Sequence, residues 1–578
     1  MRLRSYYGLI FTVIFVLSQT SAFAQDLYLR SAQIGLSTQQ GPEQTLDEID
    51  VIIAEAAAQN PVDYRLIFDL GRVKADVLIT ENRITEAAGV VAELATLAAQ
   101  FRTDLQQSVI ALHREAAGLF VDVENYRAAR NHLLALLEEQ RDGAQSAQVL
   151  ARTLNDIADI SEQMQRPDEA RGYRDAAAET ASTNTAPTRG DGQGYREVEV
   201  FYATDRARSG SDTPEDFYGW KRGTLELGLA TVTIPNTHVK GLVETPSVWR
   251  LEFGPSPAKH VVLQSVEPIE TDAFFAAMQD RLETRRNKEL FVFIHGYNVQ
   301  FDQAAKRAAQ IAYDMNYGGL PVLYSWPSAG STIGYISDTA VVRLSGRRLS
   351  GFLEDLAARS GAQTIHILAH SMGNRALTDA LELIASRRGL TETSDPIFDQ
   401  VLFAAPDVDA GLFAQMLKTI RPIAKRLTLY ASENDWALES SRRLHGNAPR
   451  AGQGGGFTLV SSNVDSVDMS ELGEDMLAHS YFADDSSALA DMMALFWRNT
   501  DPARRCGLEA TNSADGDAQY WTYKRGQCQS QSMLDVIALM QRNNVQTQED
   551  AQRMLVQSLA DSDILNGIAP ILMRNFEE

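Results

Sequence analysis

The chain is poor in cysteine. Its 578 residues carry only two, Cys506 and Cys528, which excludes a multiply stapled disulfide scaffold and a cysteine-rich metal cluster. Basic charge is also short. Lys and Arg number 53 against 76 Asp and Glu, a formal net charge of -23, which argues against nucleic acid or an anionic membrane as a partner. Beyond the first residues no stretch approaches the roughly 18 consecutive apolar residues of a membrane span. No zinc-ligand spacing, phosphate-binding loop or dinucleotide fingerprint occurs, so no metal or cofactor is expected. What is present is 44% hydrophobic residues, ample for large cores in a chain long enough for two or three domains.

Residues 1–24 read as a secretory signal peptide. Arg2 and Arg4 form a basic start, Leu9 to Leu17 a short apolar run, and Ala22-Phe23-Ala24 a cleavage site before Gln25. The expected location is the periplasm or beyond it, with no transmembrane anchor left after cleavage. In such a compartment Cys506 and Cys528 can pair. Residues 25–178 carry helical periodicity and almost no strand signal. Ala75, Ala117 and Ala158 are each followed, at one common separation, by a second alanine: Ala87, Ala129 and Ala170. Turn-like segments such as Thr80-Glu81-Asn82 and Gln165-Arg166-Pro167-Asp168 lie between. Small residues so placed let paired antiparallel helices approach closely. The pattern looks like a tetratricopeptide-type (TPR-like) array with a period of about 41, longer than the usual 34. Such arrays bind peptides or protein partners on a concave face; packing against a neighbouring domain is the other reading. Residues 179–196 are a linker.

The rest alternates strands and helices. Strand-like segments at Glu197 to Ala203, Thr224 to Ile234, Trp249 to Phe253 and His260 to Val266 come first. Buried strands at Leu290 to Ile294, Pro321 to Ser325, Thr364 to Leu368, Gln400 to Ala404, Leu427 to Ala431 and Phe457 to Ser461 follow, with helical patterns between them. This predicts an α/β fold, a doubly wound and mostly parallel sheet over residues 197–500. Ligands in such sheets bind at the carboxyl ends of the strands. Thr364 to Leu368 breaks abruptly into Ala369-His370-Ser371-Met372-Gly373, and a helix pattern begins at once. Strand, sharp turn and helix are the context of a nucleophile elbow, which lifts a serine hydroxyl clear of the sheet. Its first glycine is here Ala369. In Leu290 to Asn298, LFVFIHGYN, a strand ends in His295-Gly296-Tyr297. That turn can supply one oxyanion N–H, from Tyr297, and Met372 the other; the His295 side chain reads as structural. Serine needs a base. Of the nine histidines, only His445 and His479 follow Ser371. His479, after the last strand, fits the usual order of nucleophile, acid and base, with His445 the alternative. For the acid, Asp435 follows the penultimate strand and Asp407 the strand before it. Asp435 is preferred, because an Asp in Pro406-Asp407-Val408-Asp409 has a plainer use in capping the helix near Leu412.

These motifs together resemble an α/β-hydrolase family labelled domain of unknown function 900 (DUF900), whose members are grouped with esterases and lipases. The matching residues are VFYATDR (Val200 to Arg206), IHGYN (Ile294 to Asn298), YSWPS (Tyr324 to Ser328), AHSMGNR (Ala369 to Arg375), AAPDVD (Ala404 to Asp409), RRLHG (Arg442 to Gly446) and HSYF (His479 to Phe482). The resemblance covers residues 197–500. It implies the fold and a serine-hydrolase site, and is silent on residues 25–180 and 501–578. The expected activity is hydrolysis of a small-molecule or lipid carboxylic ester through an acyl-enzyme. The alternative is a partner-binding protein with helical repeats and a degenerate hydrolase domain. Residues 501–578 are expected to be a helical extension carrying the Cys506–Cys528 bond.

Overall fold

A computed structural model describes the chain from residue 42 to residue 558, with Arg30 ahead of it. The longest stretches it leaves out in between are 58–63, 183–193, 245–254, 329–334, 473–486, 514–518 and 528–535. The signal peptide, most of the linker and the expected strand at Trp249 to Phe253 lie outside the described residues.

The paired alanines organise the first region. Helix α1 spans Pro42–Ala57. Then come three hairpins: α2 (Tyr64–Thr80) with α3 (Ile84–Phe101), α4 (Gln106–Asp122) with α5 (Tyr126–Asp142), and α6 (Ala147–Gln163) with α7 (Pro167–Ser182). Ala75, Ala87, Ala117, Ala129, Ala158 and Ala170 are all completely buried. Each second alanine donates its N–H to the same point of its turn: Ala87 to Arg83 O, Ala129 to Asn125 O and Ala170 to Arg166 O, at 3.0–3.1 Å. Each hairpin packs on the next, so the apolar stripes form continuous cores of neighbour contacts. No described helix is long and apolar enough to cross a membrane.

The second region is one sheet. Its strands are β1 (Tyr195–Arg208), β2 (Tyr218–Pro235), β3 (Val262–Ile269), β4 (Glu289–Ile294), β5 (Leu320–Ser325), β6 (Thr364–His370), β7 (Phe398–Ala404), β8 (Ala424–Ala431), β9 (Asp465–Asp468), β10 (Leu508–Asn512) and β11 (Gln519–Tyr523). They lie in the order β10-β11-β9-β8-β7-β6-β4-β5-β1-β2-β3. The run from β1 through β5, β4, β6, β7, β8 and β9 to β11 is parallel; β2 and β10 run against it at either side, and β3 pairs antiparallel with β2. Successive side chains point to opposite faces. Phe291, Phe293, Leu368, Leu402 and Tyr430 enter one core, beneath α9 (Phe301–Asp314) and α13 (Ser487–Arg498). Leu290, Val292, Ile294, Ile367 and Phe403 enter the other, beneath α8 (Thr271–Glu283), α10 (Tyr335–Arg359), α11 (Gly373–Arg388) and α12 (Ala410–Ile420). Both faces are covered, which is why the central strands read as unbroken apolar runs. Each fully buried Leu or Phe stabilises the fold by roughly 1.5–3 kcal/mol.

Two expectations are corrected. The strand that follows β8 is not Phe457 to Ser461, which holds the end of a short 3-10 turn and an isolated bridge residue, but Asp465–Asp468. Residues beyond 500 are not a separate helical extension. β10 and β11 form a hairpin, and β11 pairs with β9 through Trp521↔Val467 and Thr522↔Asp468. Tyr523, Val536, Met540 and Leu555 share the core of Val467 and Tyr430. The buried Arg505 guanidinium sits 3.0 Å from Asp491 on α13. A final helix, α14, spans Gln548–Ser558.

Candidate active site

Register brings two turns together. β4 and β6 pair with Ile294 opposite Ala369, so the residues that follow, His295-Gly296 and His370-Ser371, leave the sheet side by side. The approach is close enough to forbid side chains. A Cβ on Gly296 would lie 2.7 Å from His370 Nδ1 and 3.0 Å from Ser371 Cβ. A Cβ on Gly373 would lie 2.3 Å from the His295 carbonyl oxygen. Ala369, in place of the elbow's usual glycine, is fully buried in β6 and fits there.

Ser371 has φ +47°, a left-handed conformation that costs a non-glycine residue about 1–3 kcal/mol and persists only where its surroundings enforce it. They do so through a dense set of bonds. Ser371 N–H donates to Ala404 O at 3.0 Å, and Asp407 N–H donates to Ser371 O at 3.2 Å. The buried Asn374 amide donates to the carbonyls of Ala369, Ser371 and Ala404 at 3.1–3.2 Å. The turn therefore holds its shape through bonds to the neighbouring strand and to its own helix. The Ser371 side chain sits at the head of α11, and Met372 is the N-cap residue of that helix. The first N–H groups of a helix have no intrahelical acceptor and carry partial positive charge. An oxygen that becomes anionic beside Met372 is stabilised there.

The opposite turn is fixed from beneath. The His295 ring is buried and stacked on Trp326, centroids 5.2 Å apart and 13° from parallel. Its Nδ1 lies 2.7 Å from Gly296 O, and its Nε2 lies 3.1 Å from both Ser325 Oγ and Trp326 O. Trp326 Nε1–H donates to His295 O at 2.8 Å. Burial, then the nearby Arg206 charge, push the imidazole well below its ordinary pKa, so the ring is neutral and structural, as its place in the sequence suggests. Tyr297 is half-buried. Asn298 after it has φ +57°, which aims the backbone away from the strand, and Gln300 opens α9 with a capping box to Gln303.

The acid and base candidates divide. Asp435 and His479 lie outside the described residues. Asp407 is buried, and its carboxylate is fully engaged: Arg375 Nη2 donates to it at 2.9 Å, Arg450 Nε lies 3.2 Å away, and the Ser441 hydroxyl donates to it. Arg375 Nε also donates to the Asp407 carbonyl, at 2.6 Å. Asp407 thus braces the underside of the elbow. Asp409, not Asp407, caps α12, accepting from Leu412 N–H at 2.9 Å. His445 belongs to the same cluster. Its Nδ1 lies 2.8 Å from the Ser441 carbonyl, and burial, ahead of the Arg450 and Arg375 charges, lowers its pKa. On its Nδ1 side the ring is oriented by a backbone carbonyl. Cys506 is described, just ahead of β10, while Cys528 lies outside. Among the described residues no group of three or more His, Cys, Asp or Glu is arranged to hold a metal.

Sequence reasoning gave no role to Asn374, Arg375, Ser325, Trp326 or Arg206, all of which shape this site. Their signal was present: each lies inside one of the short motifs that carry the family resemblance.

A nucleophile elbow on the central strand of a doubly wound sheet, facing a glycine turn on the next strand, defines the α/β-hydrolase class. Residues 270–495 match the family model described as alpha/beta hydrolase of unknown function, DUF900. No curated protein matches the chain. Among solved structures, it is similar at 11% identity to BtubC from P. vanneervenii, with a TM-score of 0.21 over 26% of this chain and 62% of that one. It is similar at 13% to the apo form of RapI, with a TM-score of 0.20 over 25% of this chain and 50% of that one. A Podosopora anserina protein with nearly identical TPR-like repeats matches at 13%, with a TM-score of 0.21 over 32% of this chain and 96% of that one. The chain thus spans about half to three fifths of the length of the first two.

Proposed function

We propose that the protein is an exported serine hydrolase that cleaves small-molecule or lipid carboxylic esters through an acyl-enzyme. The observation that carries this reading is the strained Ser371 turn held against Gly296, with the head of α11 behind it. Ser371 Oγ attacks the acyl carbon while His479 takes its proton, and a C–O bond to the serine forms. The carbonyl oxygen becomes an oxyanion beside the N–H groups of Met372 and Tyr297. His479 returns the proton to the departing alcohol as the original ester bond breaks. Water, deprotonated by the same imidazole, then attacks the acyl-serine, and its C–O bond breaks to release the acid. Asp435 keeps the imidazole in the right tautomer. Each oxyanion donor contributes about 3–4 kcal/mol to the transition state. A fluorophosphonate probe should label Ser371, and p-nitrophenyl esters graded by chain length should show which acyl group is preferred. An unlabelled Ser371 in folded protein would overturn the reading.

The helical hairpins support a second, additional role in recruiting a protein partner. Shortened protein of residues 190–578 should keep esterase activity if that is their task; insoluble or inactive material would assign them to packing. Export goes with a Cys506–Cys528 bond. Thiol labelling of unreduced, denatured protein should find no free sulfhydryl, and two would refute the bond.

A further inference from the structure

Arg206, the last residue of VFYATDR, lies inside β1 and is 1% exposed. Every polar contact of its guanidinium goes to a neutral atom. Nη2 donates to Val299 O at 2.6 Å, Nη1 to Ser328 O at 3.2 Å and to Gly219 O at 3.3 Å, and Nε to Ser325 Oγ at 2.9 Å. Nη2 also lies 3.4 Å from His295 Nε2. Among the described residues no carboxylate is in ion-pair contact with it; Asp205, Asp338 and Asp302 act only from a distance. Burial lowers its pKa to about 10, so it remains a cation at neutral pH.

A buried charge without a contacting counter-ion costs several kcal/mol. An apolar side chain would fill the same volume without that penalty, so the choice of arginine calls for a reason beyond packing. The guanidinium's partners supply one. Val299 closes the turn that begins at His295 and passes through Tyr297 and the left-handed Asn298. Ser325 and Ser328 bracket Trp326, on which the His295 ring stacks. Thr204, two residues earlier on β1, donates to Ser325 O at 2.7 Å. One rigid fork therefore clamps the far end of the glycine turn to the segment that supports its near end. Burial first, and its positive charge second, push the intervening imidazole well below its ordinary pKa.

We infer that Arg206 is a positioning residue for oxyanion stabilisation: it fixes the His295–Val299 turn so that the Tyr297 N–H meets the transition-state oxygen, and its buried charge favours the negative charge formed there. The inference rests on the serine-hydrolase reading above. A preorganised donor matters only as charge develops, so losing the clamp lowers turnover and leaves ground-state binding alone. A displacement of about 1 Å at such a turn costs on the order of 10²-fold in rate.

The test uses the full chain, with active serines counted by fluorophosphonate titration. Arg206→Gln should lower kcat per titrated serine by about 10- to 100-fold with KM within about threefold. Its affinity for a trifluoromethyl ketone, which forms a tetrahedral adduct on serine, should fall by the same factor as kcat/KM. Arg206→Lys keeps the charge, loses the fork, and should show a smaller loss of the same kind; it serves as the second variant should Arg206→Gln not fold. If the variants lower only the number of titratable serines, and kcat and ketone affinity per serine match wild type, Arg206 is merely structural and the inference is overturned. Wild-type protein whose Ser371 goes unlabelled overturns the hydrolase reading, and this inference with it.

Discussion

At the carboxyl end of β6, Ser371 has φ +47°; at the carboxyl end of the neighbouring β7, Ala405 has φ +44°. The bonding is the same one strand along: Ser371 N–H donates to Ala404 O, and Ala405 N–H donates to Tyr430 O, at 3.0 and 2.9 Å. Both turns are pressed by a glycine from another segment. Gly296 faces Ser371, and a Cβ on Gly452 would lie 2.5 Å from the Ala405 carbonyl carbon. Backbone strain is thus a property of how these strands end, and by itself it marks no catalytic residue. The two sites part in what surrounds the strained residue. Ser371 keeps partial exposure, a helix head behind it and an open turn before it. Ala405 is 2% exposed and roofed by the Arg450–Gln453 segment, with Ala451 N–H donating to Val408 O and Gly452 N–H to Pro406 O.

Substitutions can separate strain from chemistry at these two ends. The largest effect belongs to Ser371→Ala, which should lower kcat by on the order of 10⁶ and leave the melting temperature nearly unchanged. Ser371→Thr keeps a hydroxyl, but a β-branched residue tolerates φ +47° poorly. It should lose both activity and stability, and a fully stable, active threonine variant would show that the turn is less constrained than its geometry implies. Next comes the acid. Asp435→Asn should reduce turnover by on the order of 10⁴ through the wrong imidazole tautomer. Asp407→Asn weakens the brace beneath the elbow and should mainly lower the melting temperature; the reverse pattern would move the acid to the end of β7. Ala405→Val should cost about 2 kcal/mol, seen as a melting temperature lower by several degrees, with unchanged turnover per titrated serine. A turnover loss there would tie the two strand ends together functionally.

The smallest effect belongs to neither end. His238 is buried between Glu244 and Asp314, with Nδ1 and Nε2 at 2.8 and 2.7 Å from their carboxylates. Arg152, from α6 of the helical array, lies 3.5 Å from Glu244. Burial works against the charged imidazole, yet the bonds to Asp314 and Glu244 raise its pKa to about 9. A folded value above the unfolded one, about 6.5, stabilises fully below pH ~6.5 and is lost as pH rises through about 9. Melting temperature should therefore decline from pH 7 to 9.5, and His238→Gln should flatten that decline. An equal slope in both proteins would assign the loss to other groups.

What was legible in the sequence is what local periodicity encodes. The six alanines predicted the hairpins because close helix approach needs small residues at fixed positions. The break from Leu368 into Ser371 predicted the elbow because strand, turn and helix are all near neighbours in sequence. Asp465-Ser466-Val467-Asp468 escaped notice because four largely polar residues carry no strand signal; pairing with β8 makes them a strand. β10 and β11 escaped for a related reason, since their edge position is set by β9. Arg206 reads as a solvent-facing charge in an alternating strand, and only the sheet order, which puts β1 beside β5, reveals where its side chain goes. The sequence pointed to Ser371, Gly296 and Met372, whose turns the register of β4 and β6 brings side by side, and much less to the side chains that hold those turns still.

The C-terminal hairpin bears on the order in which this chain takes shape. Synthesis delivers the amino end first, and domains fold as they emerge. The helical array depends on contacts between neighbours, so each hairpin has its partner soon after it appears. The sheet is different. β9 gains its outer neighbour only when Trp521 has arrived, and the core around Val467 also waits for Val536 and Leu555. Ser371 is thus made long before the sheet beyond β9 is finished. A chain cut short after residue 500 would carry Ser371 and the glycine turn that faces it, yet leave the β9 edge bare and ready to pair with another unfinished copy.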